Sequence, residues 1–435
     1  MKHTMKWGLG LAAVGSLLLA GCGTDSPSAS PSVSESAVQE PVTLTMAAWL
    51  LDSTPEFKTV TDAFTAANPE ITIELIEYVA GNDYDTQMIA DLAAGSAPDL
   101  YILKNLRNFF TYQDGGQLLD VSDVATGLDA STSGLSNYQV DGVTYAVPYR
   151  QDSWYLYYDK DMFDAAGVEY PDGTWTWFDY QEAADALSAG LPAADDFGAY
   201  QHGWQSIIQG FASAQTPGSD ILTGDFGYMK PYYDRALEMQ ASGAQIDFNT
   251  RATASLTYQS QFGTQKAAML IMGSWYVAAY LDQVNKGDAI QFNWGIAPVP
   301  QLTSDTVGTP VTFGDPTAIG INPAIDEGKV EAAKKFLAFI GGEEAALALA
   351  GIGITPSYAS DTVTAAYFAK EGVPTDDLSK FAFGTHDTKP ENPVSPTTAQ
   401  IQSILGDMHT AIMSGTTPVK DAIIAAEARV ENEVS

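Results

Sequence analysis

Cysteine and basic residues are both scarce in this chain. Its 435 residues include a single cysteine, Cys22, so no disulfide can form within the chain. Lys and Arg number 20 against 54 Asp and Glu, which gives a net charge of −34 at pH 7. Such an acidic chain argues against the binding of nucleic acid or of an anionic membrane through a basic patch. An acidic pocket for a cationic ligand stays compatible with this charge.

Common catalytic and metal-binding motifs are also missing. Beyond the N-terminal segment the histidines are His202, His386 and His409, and none stands at a metal-ligand spacing. The sequence contains no Gly-Lys-Ser/Thr phosphate loop, no dinucleotide fingerprint and no Gly-x-Ser-x-Gly elbow. We therefore expect no bound metal and no catalytic residues, and we predict that the protein is not an enzyme.

Apolar runs of membrane-spanning length are absent, and the longest lies at the start of the chain. Lys2, His3 and Lys6 precede the apolar stretch 8–20, which ends in Leu-Ala-Gly-Cys at Cys22. This stretch is too short to span a membrane comfortably and is typical of a secretory signal. It resembles the bacterial lipoprotein signal, in which the cysteine becomes the lipid-bearing first residue. An ordinary signal peptide with an incidental cysteine is the alternative.

The N-terminal organisation follows from this pattern. We expect a lipoprotein signal peptide at 1–21, lipid attachment (palmitate) at Cys22, and a flexible Ser/Pro-rich tether at 22–41. The mature chain would then lie on the extracellular face of the cell membrane, held there by its N-terminal lipid anchor alone. The long tether and the acidity favour a Gram-positive cell.

Strand and helix patterns alternate from residue 42 onward. Residues 42–46, 71–75 and 99–103 are predicted strands, and the segments between them carry apolar residues at helical spacing. This order predicts an α/β fold with a parallel sheet, in which ligands gather beyond the carboxyl ends of the strands. The candidate residues at that edge are Trp49, Asp52, Lys104 and Asn105.

Residues 141–167 are predicted to leave one globular body and enter another, since the length of the chain favours two domains. A strand at 143–147, ended by Pro148, is followed by a polar and aromatic run and then by a strand at 155–158. Such a crossing suits a hinge whose side chains face a cleft. Arg150 and Asp152 are the candidate cleft residues here.

Several blocks follow one another along residues 42–358: FTAANPEITIELIEY, YDTQMIADLAAGSAPDL, DGVTYAVPY, LYYDKDMFDAAG with TWTWFDYQEAADAL, FGTQKAAMLIMGSW, and AIGIN followed by VEAAKKFLAFI. Together they resemble the extracellular solute-binding proteins of ABC importers, specifically the maltose-binding-protein-like sugar-binding group known as family 1. After about Asp361 the chain matches only as a helical pattern.

The resemblance implies a two-lobed, periplasmic-binding-protein-like (type II) α/β fold with three hinge crossings. The expected crossings lie near Pro148–Arg150, Thr312–Gly314 and Gly353–Tyr358. The expected lobes are 42–149 plus 314–355 for lobe 1 and 150–313 plus 356–435 for lobe 2. The resemblance also implies a monomer without an organic cofactor, which holds its ligand between the lobes and docks on the membrane subunits of an ABC permease.

A sugar presents hydroxyls around its rim and C–H groups on its faces, so its site needs aromatic plates and planar polar side chains. The expected plates are Trp49, Trp204 and Trp275, and the resemblance places the last two where a member of the family carries tryptophans. The expected polar partners are Asp52, Lys104, Asn105, Arg150, Asp152 and Asp315. Each has a structural alternative: core packing for the tryptophans, a hinge ion pair for Arg150 with Asp152, and solvated loops for the others.

The expected function is the capture of a short oligosaccharide outside the cell by closure of two lobes. A cationic ligand such as a polyamine in the same fold is the nearest alternative, although the aromatic residues and Arg150 favour a sugar. A secreted glycosidase that uses Asp152 and Asp315 would turn over its oligosaccharide, whereas a binder would return it intact. A surface adhesin would bind a polymer or a host protein without lobe closure.

Overall fold

The computed structural model describes residues 41–434, with Asn82 described by its backbone alone. The predicted signal peptide, Cys22 and the tether up to residue 40 lie outside the described residues. Within 41–434 the strands are β1 (Val42–Trp49), β2 (Ile71–Tyr78), β3 (Leu100–Leu103), β4 (Gln139–Val140), β5 (Val143–Thr144), β6 (Ala146–Gln151), β7 (Trp154–Asp159), β8 (Phe197–Tyr200), β9 (Ala267–Gly273), β10 (Trp294–Pro298), β11 (Val311–Phe313), β12 (Pro316–Ile321) and β13 (Asp387–Lys389).

The helices of the same part of the chain are α1 (Pro55–Ala67), α2 (Asn82–Ala94), α3 (Phe109–Asp114), α4 (Ser122–Gly127), α5 (Lys160–Ala166), α6 (Trp177–Gly190), α7 (Ser206–Gln215), α8 (Lys230–Ser242), α9 (Phe248–Thr253), α10 (Tyr258–Phe262), α11 (Tyr276–Lys286), α12 (Val330–Ile340), α13 (Glu343–Ala350), α14 (Asp361–Ala369), α15 (Asp377–Gly384), α16 (Thr398–Met413) and α17 (Val419–Glu433). None of these helices is both long enough and apolar enough to cross a bilayer.

The first lobe is built on a five-stranded sheet of order β2-β1-β3-β12-β6. β1 pairs in parallel with β2 and β3, which confirms the predicted parallel strands, while β12 runs antiparallel to both of its neighbours. Helix α1 covers this sheet because Phe57, Val60 and Phe64 recur at helical spacing and bury one face of it. Pro55 occupies the first turn, where the missing backbone N–H costs no helical hydrogen bond.

The second lobe is built on a four-stranded sheet of order β10-β7-β9-β8. Every residue of β9 is buried, as expected for a strand without polar alternation that is covered on both faces. Helix α6 begins with a capping box in which the Thr176 hydroxyl and the Asp179 carboxylate satisfy each other's backbone N–H groups. Two hydrophobic cores, one around each sheet, confirm the two-lobed α/β architecture.

The prediction that Pro148 ends the strand before the first crossing is wrong. β6 continues through Pro148 to Gln151, and its register against β12 shifts between Thr317 and Ala318. A bulge of this kind places a proline, which has no N–H to donate, inside a paired strand. The chain therefore leaves the first sheet at Asp152, two residues later than the expected crossing.

The other two crossings lie close to their expected positions. The second passes through Gly314 and Asp315, between β11 and β12. Before the third, residues 355–359 still hydrogen-bond to the first lobe, since the Ser357 N–H donates to the Tyr149 carbonyl at 3.0 Å. Beyond these residues α14 lies in the second core, where Val363 is buried.

Candidate ligand-binding site

The candidate residues meet because several strands end at one edge of each sheet. In the first lobe, β1, β3 and β6 end there and β12 begins there; in the second lobe, the parallel strands β8 and β9 both end there. Residues that follow these strands from both lobes line one cavity of about 570 Å³. Of the nine predicted ligand-binding residues, all but Asp52 are in its wall.

Aromatic rings occupy two separate parts of the cavity wall. Trp49, at the end of β1, is held edge-on by Phe57 and Tyr84, with ring centroids 4.9 and 5.0 Å away. On the second lobe, Trp275 and Trp204 lie with centroids 6.3 Å apart. Trp204 is 37% exposed, a large apolar surface that a ligand could cover.

The position of Trp275 depends on the glycine at the end of β9. Its ring lies against the backbone of Gly273, where an added Cβ would stand 2.0 Å from the nearest ring atom. Trp154 packs edge-on against the same ring at 5.5 Å, and the Arg150 guanidinium lies 5.6 Å from its centroid. The ring is only partly buried and belongs to the cavity wall.

Arg150 is the centre of a buried ionic network. Its Nη1 contacts Glu56 Oε1 at 2.5 Å, its Nε contacts Asp152 Oδ1 at 3.0 Å, and its Nη2 donates to the Thr317 hydroxyl at 3.1 Å. The Tyr149 hydroxyl donates to the same oxygen of Glu56 at 2.8 Å. Burial alone would lower the pKa of Arg150, but the charges of Asp152 and Glu56 hold that pKa above its ordinary value.

Asp152 carries this network across to the second lobe. The Ser274 hydroxyl, just after β9, donates to Asp152 Oδ1 at 3.3 Å. Burial raises the pKa of Asp152, and Arg150 opposes that rise. The hinge ion pair that was the alternative for Arg150 and Asp152 is therefore present, and both residues also line the cavity.

Lys104 and Asn105 follow β3 and line the cavity beside Trp49. Lys104 Nζ forms an ion pair with Asp85 Oδ2 at 2.8 Å and lies 5.5 Å from the Tyr84 ring centroid. The side chain of Asn105 accepts from the backbone N–H of Arg107 at 3.1 Å, which leaves its amide N–H groups for other partners.

Asp315 is in the cavity wall, but its carboxylate is already occupied. It accepts from the backbone N–H of Leu106 at 3.1 Å, from those of Glu391 and Asn392 at 2.9 and 3.3 Å, and from the Asn392 side chain at 2.7 Å. A carboxylate has about four lone-pair sites, so little capacity is left for a ligand. Burial raises the pKa of Asp315.

Asp52 lies outside the cavity wall, in the exposed turn after β1. Its backbone carbonyl accepts from Lys286 Nζ at the far end of α11, and its side chain makes no hydrogen bond within residues 41–434. The neighbouring Ser53 and Thr54 line the cavity in its place. The chain turns at Leu50, which has a positive φ of 47°.

Several wall residues were not among the sequence-based candidates. They are Glu56, Arg107, Gln205, Ser206, Tyr258, Glu391, Asn392 and Gln402. Some had a local signal: Glu56 is in the first turn of the helix after β1, and Gln205 and Ser206 directly follow Trp204. Glu391 and Asn392 stand between Pro390 and Pro393, which is typical of a rigid loop.

No group of three or more His, Cys, Asp or Glu side chains in residues 41–434 is arranged to hold a metal ion. His409 is buried in the cavity wall, and His202 is half-buried outside it. Burial, and then the nearby Arg251, lower the pKa of His202 to about 3 and that of His409 to about 4. Both imidazoles are therefore neutral at physiological pH, and neither provides a titratable group there.

Comparisons with known proteins agree with one another. Residues 59–375 match the model of a family described as bacterial extracellular solute-binding protein. A binding protein of Brucella abortus is 26% identical over 316 residues, which cover 70% of this chain and 71% of that protein.

Two solved structures share the fold. One is a sugar transporter from Rhizobium etli in an open conformation, with 29% identity, a TM-score of 0.74, and coverage of 90% of this chain and 99% of that chain. The other is an ABC substrate-binding protein from Listeria monocytogenes in complex with cycloalternan, with 22% identity, a TM-score of 0.76, and coverage of 90% and 98%.

Proposed function

The chain belongs to the bacterial extracellular solute-binding protein family, and from this premise we propose that it captures a short oligosaccharide and delivers it to an ABC permease. The observation that carries the proposal is the cavity between the lobes, in which Trp49 on one wall and Trp204 and Trp275 on another accompany planar polar groups. Rings of this kind cover the C–H faces of sugars, and the polar groups hydrogen-bond their hydroxyls.

The size of the cavity fits such a ligand. Its volume of about 570 Å³ lies within the roughly 300–1,000 Å³ that is typical of pockets for small organic molecules. The relative from Rhizobium etli, at 29% identity, is described as a sugar transporter, which supports a carbohydrate ligand.

Most of the charged side chains of the wall already have partners, which leaves a polyamine few free carboxylates. Lys104, Arg107 and Arg150 all line the cavity, and Glu56, Asp85 and Asp152 are already paired with Lys104 or Arg150. A polyamine would bring several positive charges beside these three cations. The wall also contains Asp315, Glu391 and Asp407, so its carboxylates outnumber its cations six to three. Asp407 pairs with Arg429 and Asp315 accepts four hydrogen bonds, which leaves Glu391 as the wall carboxylate that a polyamine would find without such partners. The binding screen below therefore includes polyamines.

The same contacts disfavour hydrolysis of the bound sugar. A glycosidase needs one carboxyl group free to protonate the leaving oxygen and a second free to act as nucleophile or base. Asp152 is tied to Arg150, Thr317 and Ser274, and Asp315 accepts four hydrogen bonds. We propose that the protein binds its ligand and releases it unchanged.

Binding would work through lobe closure. A ligand shifts the equilibrium between open and closed forms only by the contacts that it makes better in the closed form. Trp49 belongs to the first lobe and Trp275 follows β9 of the second, so a sugar that contacts both rings would favour closure. We propose lobe boundaries close to 42–149 plus 314–355 and 150–313 plus 356–435, with lipid attachment at Cys22 holding the monomer at the membrane.

A binding screen tests this function. Wild-type protein would be titrated calorimetrically with neutral di- to tetrasaccharides, and in parallel with putrescine and spermidine. We expect at least one neutral sugar to bind, to be recovered intact by chromatography, and to contract the particle in small-angle scattering. Binding of a polyamine alone, or recovery of shortened sugar, would contradict the proposal.

A further inference from the structure

One part of the cavity wall presents a cation that no carboxylate neutralises by direct contact. Arg107 follows β3 in the first lobe and is half-buried. Within residues 41–434 its guanidinium makes no ion pair and no hydrogen bond, whereas Lys104 and Arg150 in the same wall are both ion-paired. Burial lowers the pKa of Arg107. Its donors are therefore open to a ligand in the cavity.

The second lobe presents acceptors to the same cavity. The Glu391 carboxylate accepts from the Ser206 hydroxyl at 2.5 Å and has no cationic partner within the described residues. The next residue, Asn392, is 2% exposed, and its buried Oδ1 has no hydrogen-bond partner among residues 41–434. Both residues line the cavity, so an unpartnered buried acceptor and an incompletely partnered carboxylate belong to one wall.

The Asp315 carboxylate accepts hydrogen bonds from the backbone on both sides of this part of the wall. One of its carboxylate oxygens accepts from the N–H of Leu106, next to Arg107, and the other accepts from the N–H of Glu391. Since the same carboxylate fixes the backbone on both sides, Arg107 and Glu391 stay near enough to influence each other's pKa but do not form an ion pair.

The chemistry of this arrangement limits the ligand group that fits. An ammonium group would be attracted by Glu391 but repelled by Arg107, and a carboxylate would meet the reverse, so a ligand group with a single charge gains little net attraction here. A pair of adjacent hydroxyls can accept from the guanidinium and donate to the Glu391 carboxylate at the same time.

We propose that Arg107 and Glu391 form a subsite for a vicinal diol of a neutral sugar ring, and that Asp315 is a positioning residue that sets the spacing of this subsite. The proposal rests on the proposed function and adds to it the group of the ligand that is recognised and the residues that recognise it.

Affinity measurements on single variants test the subsite. The probe is whichever of maltotriose, cellotriose and mannotriose binds the wild type most tightly by calorimetry. Arg107→Met and Glu391→Gln should each weaken binding roughly 10- to 100-fold at pH 7.5, since each removes a hydrogen bond to a charged group. Asp387→Asn serves as the control, because this carboxylate is half-exposed, pairs with Lys389 and does not line the cavity.

The pH profile separates ligand contact from a merely structural role. Burial and then the charge of Asp315 raise the pKa of Glu391 to about 7, with Asp152 adding to the rise and Arg107 and Ser206 opposing it. A diol that donates to Glu391 binds the ionised form better, so wild-type affinity should rise as the pH passes from about 6 to about 8. Glu391→Gln should remove this dependence, and Asp315→Asn should move it to lower pH, because it removes the charge that helps to raise the pKa of Glu391.

The outcomes separate this inference from the proposed function. Failure of all neutral sugars to bind the wild type would overturn both. Binding by the wild type that Arg107→Met and Glu391→Gln leave unchanged would overturn the subsite alone, as would tighter binding of a free amino acid such as leucine. Should Asp315→Asn fail to fold, as judged by thermal unfolding, the two other variants still decide the matter.

Discussion

Gly273→Ala is expected to remove much of the ligand affinity although it replaces no residue that would contact the sugar. The Cβ that alanine adds would stand 2.0 Å from Cζ3 of Trp275, with two further ring atoms within 2.4 Å. No side chain tolerates such a separation, so the ring has to leave its place against β9. Because Trp275 is only partly buried, it can swing into the cavity, and the second-lobe core keeps its packing.

The size of the effect follows from the loss of one aromatic plate. Truncating an aromatic side chain that dominates an interface costs about 2 kcal/mol or more. About 1.4 kcal/mol corresponds to a tenfold change, so the dissociation constant should rise about 30-fold. Trp275→Ala should weaken binding by a similar factor, and the double variant should weaken it no further, because both substitutions remove the same plate.

Isothermal titration with the tightest-binding neutral sugar would measure these changes. Gly308→Ala is the matched control, since the added Cβ meets nothing within 4 Å and the backbone does not require glycine. Unchanged affinity in Gly273→Ala and Trp275→Ala would refute the proposal that the Trp275 ring stacks on the sugar. A loss in Gly308→Ala of the same size would show that the effect is not local.

Three further predictions concern stability. Arg150→Met should lower the free energy of unfolding by about 3–5 kcal/mol, because it leaves the buried Glu56 and Asp152 without their cation, and Glu56→Gln should cost less. Equal losses of unfolding free energy in Arg150→Met and Glu56→Gln, measured by urea unfolding, would contradict this order. Gly314→Ala places a Cβ 2.0 Å from the Asp152 carbonyl, where the first and second crossings are in contact. It should lower the free energy of unfolding by about 1–3 kcal/mol. A variant as stable as the wild type would refute that contact. Burial raises the pKa of Asp159 to about 6 and that of Glu391 to about 7, so the folded state binds their protons more tightly than the unfolded chain does. Their contribution to stability therefore falls as the pH rises from about 4 to 7. In urea unfolding over this pH range, the free energy of unfolding of Glu391→Gln should fall less steeply than that of the wild type. An identical fall would contradict the raised pKa of Glu391.

The parts of the fold that could be predicted are those with local patterns. Alternating apolar residues in 42–46 and 71–75 predicted β1 and β2, and the helical spacing of Phe57, Val60 and Phe64 predicted α1. Pro148 misled the prediction, because whether a proline ends a strand depends on the partner strand. Here β12 shifts its register opposite Pro148, and this accommodation is invisible in the sequence of β6.

The candidate site shows the same limit. Trp49, Lys104 and Trp275 could be predicted because they follow recognisable strands, and strand ends meet at one edge. Glu391 and Asn392 could not, because their place in the wall depends on hydrogen bonds to Asp315, about 76 residues earlier in the chain. Asp52 is the opposite case: it follows β1 as expected, but it lies in an exposed turn whose neighbouring residues, and not Asp52 itself, line the cavity.

A crystal structure of the protein grown with its tightest-binding neutral oligosaccharide would test the central claim most directly. We predict an intact sugar between the lobes, with one ring against Trp275 and a vicinal diol between Arg107 and Glu391. A sugar outside this cavity, or one whose glycosidic bond has been cleaved, would contradict the claim.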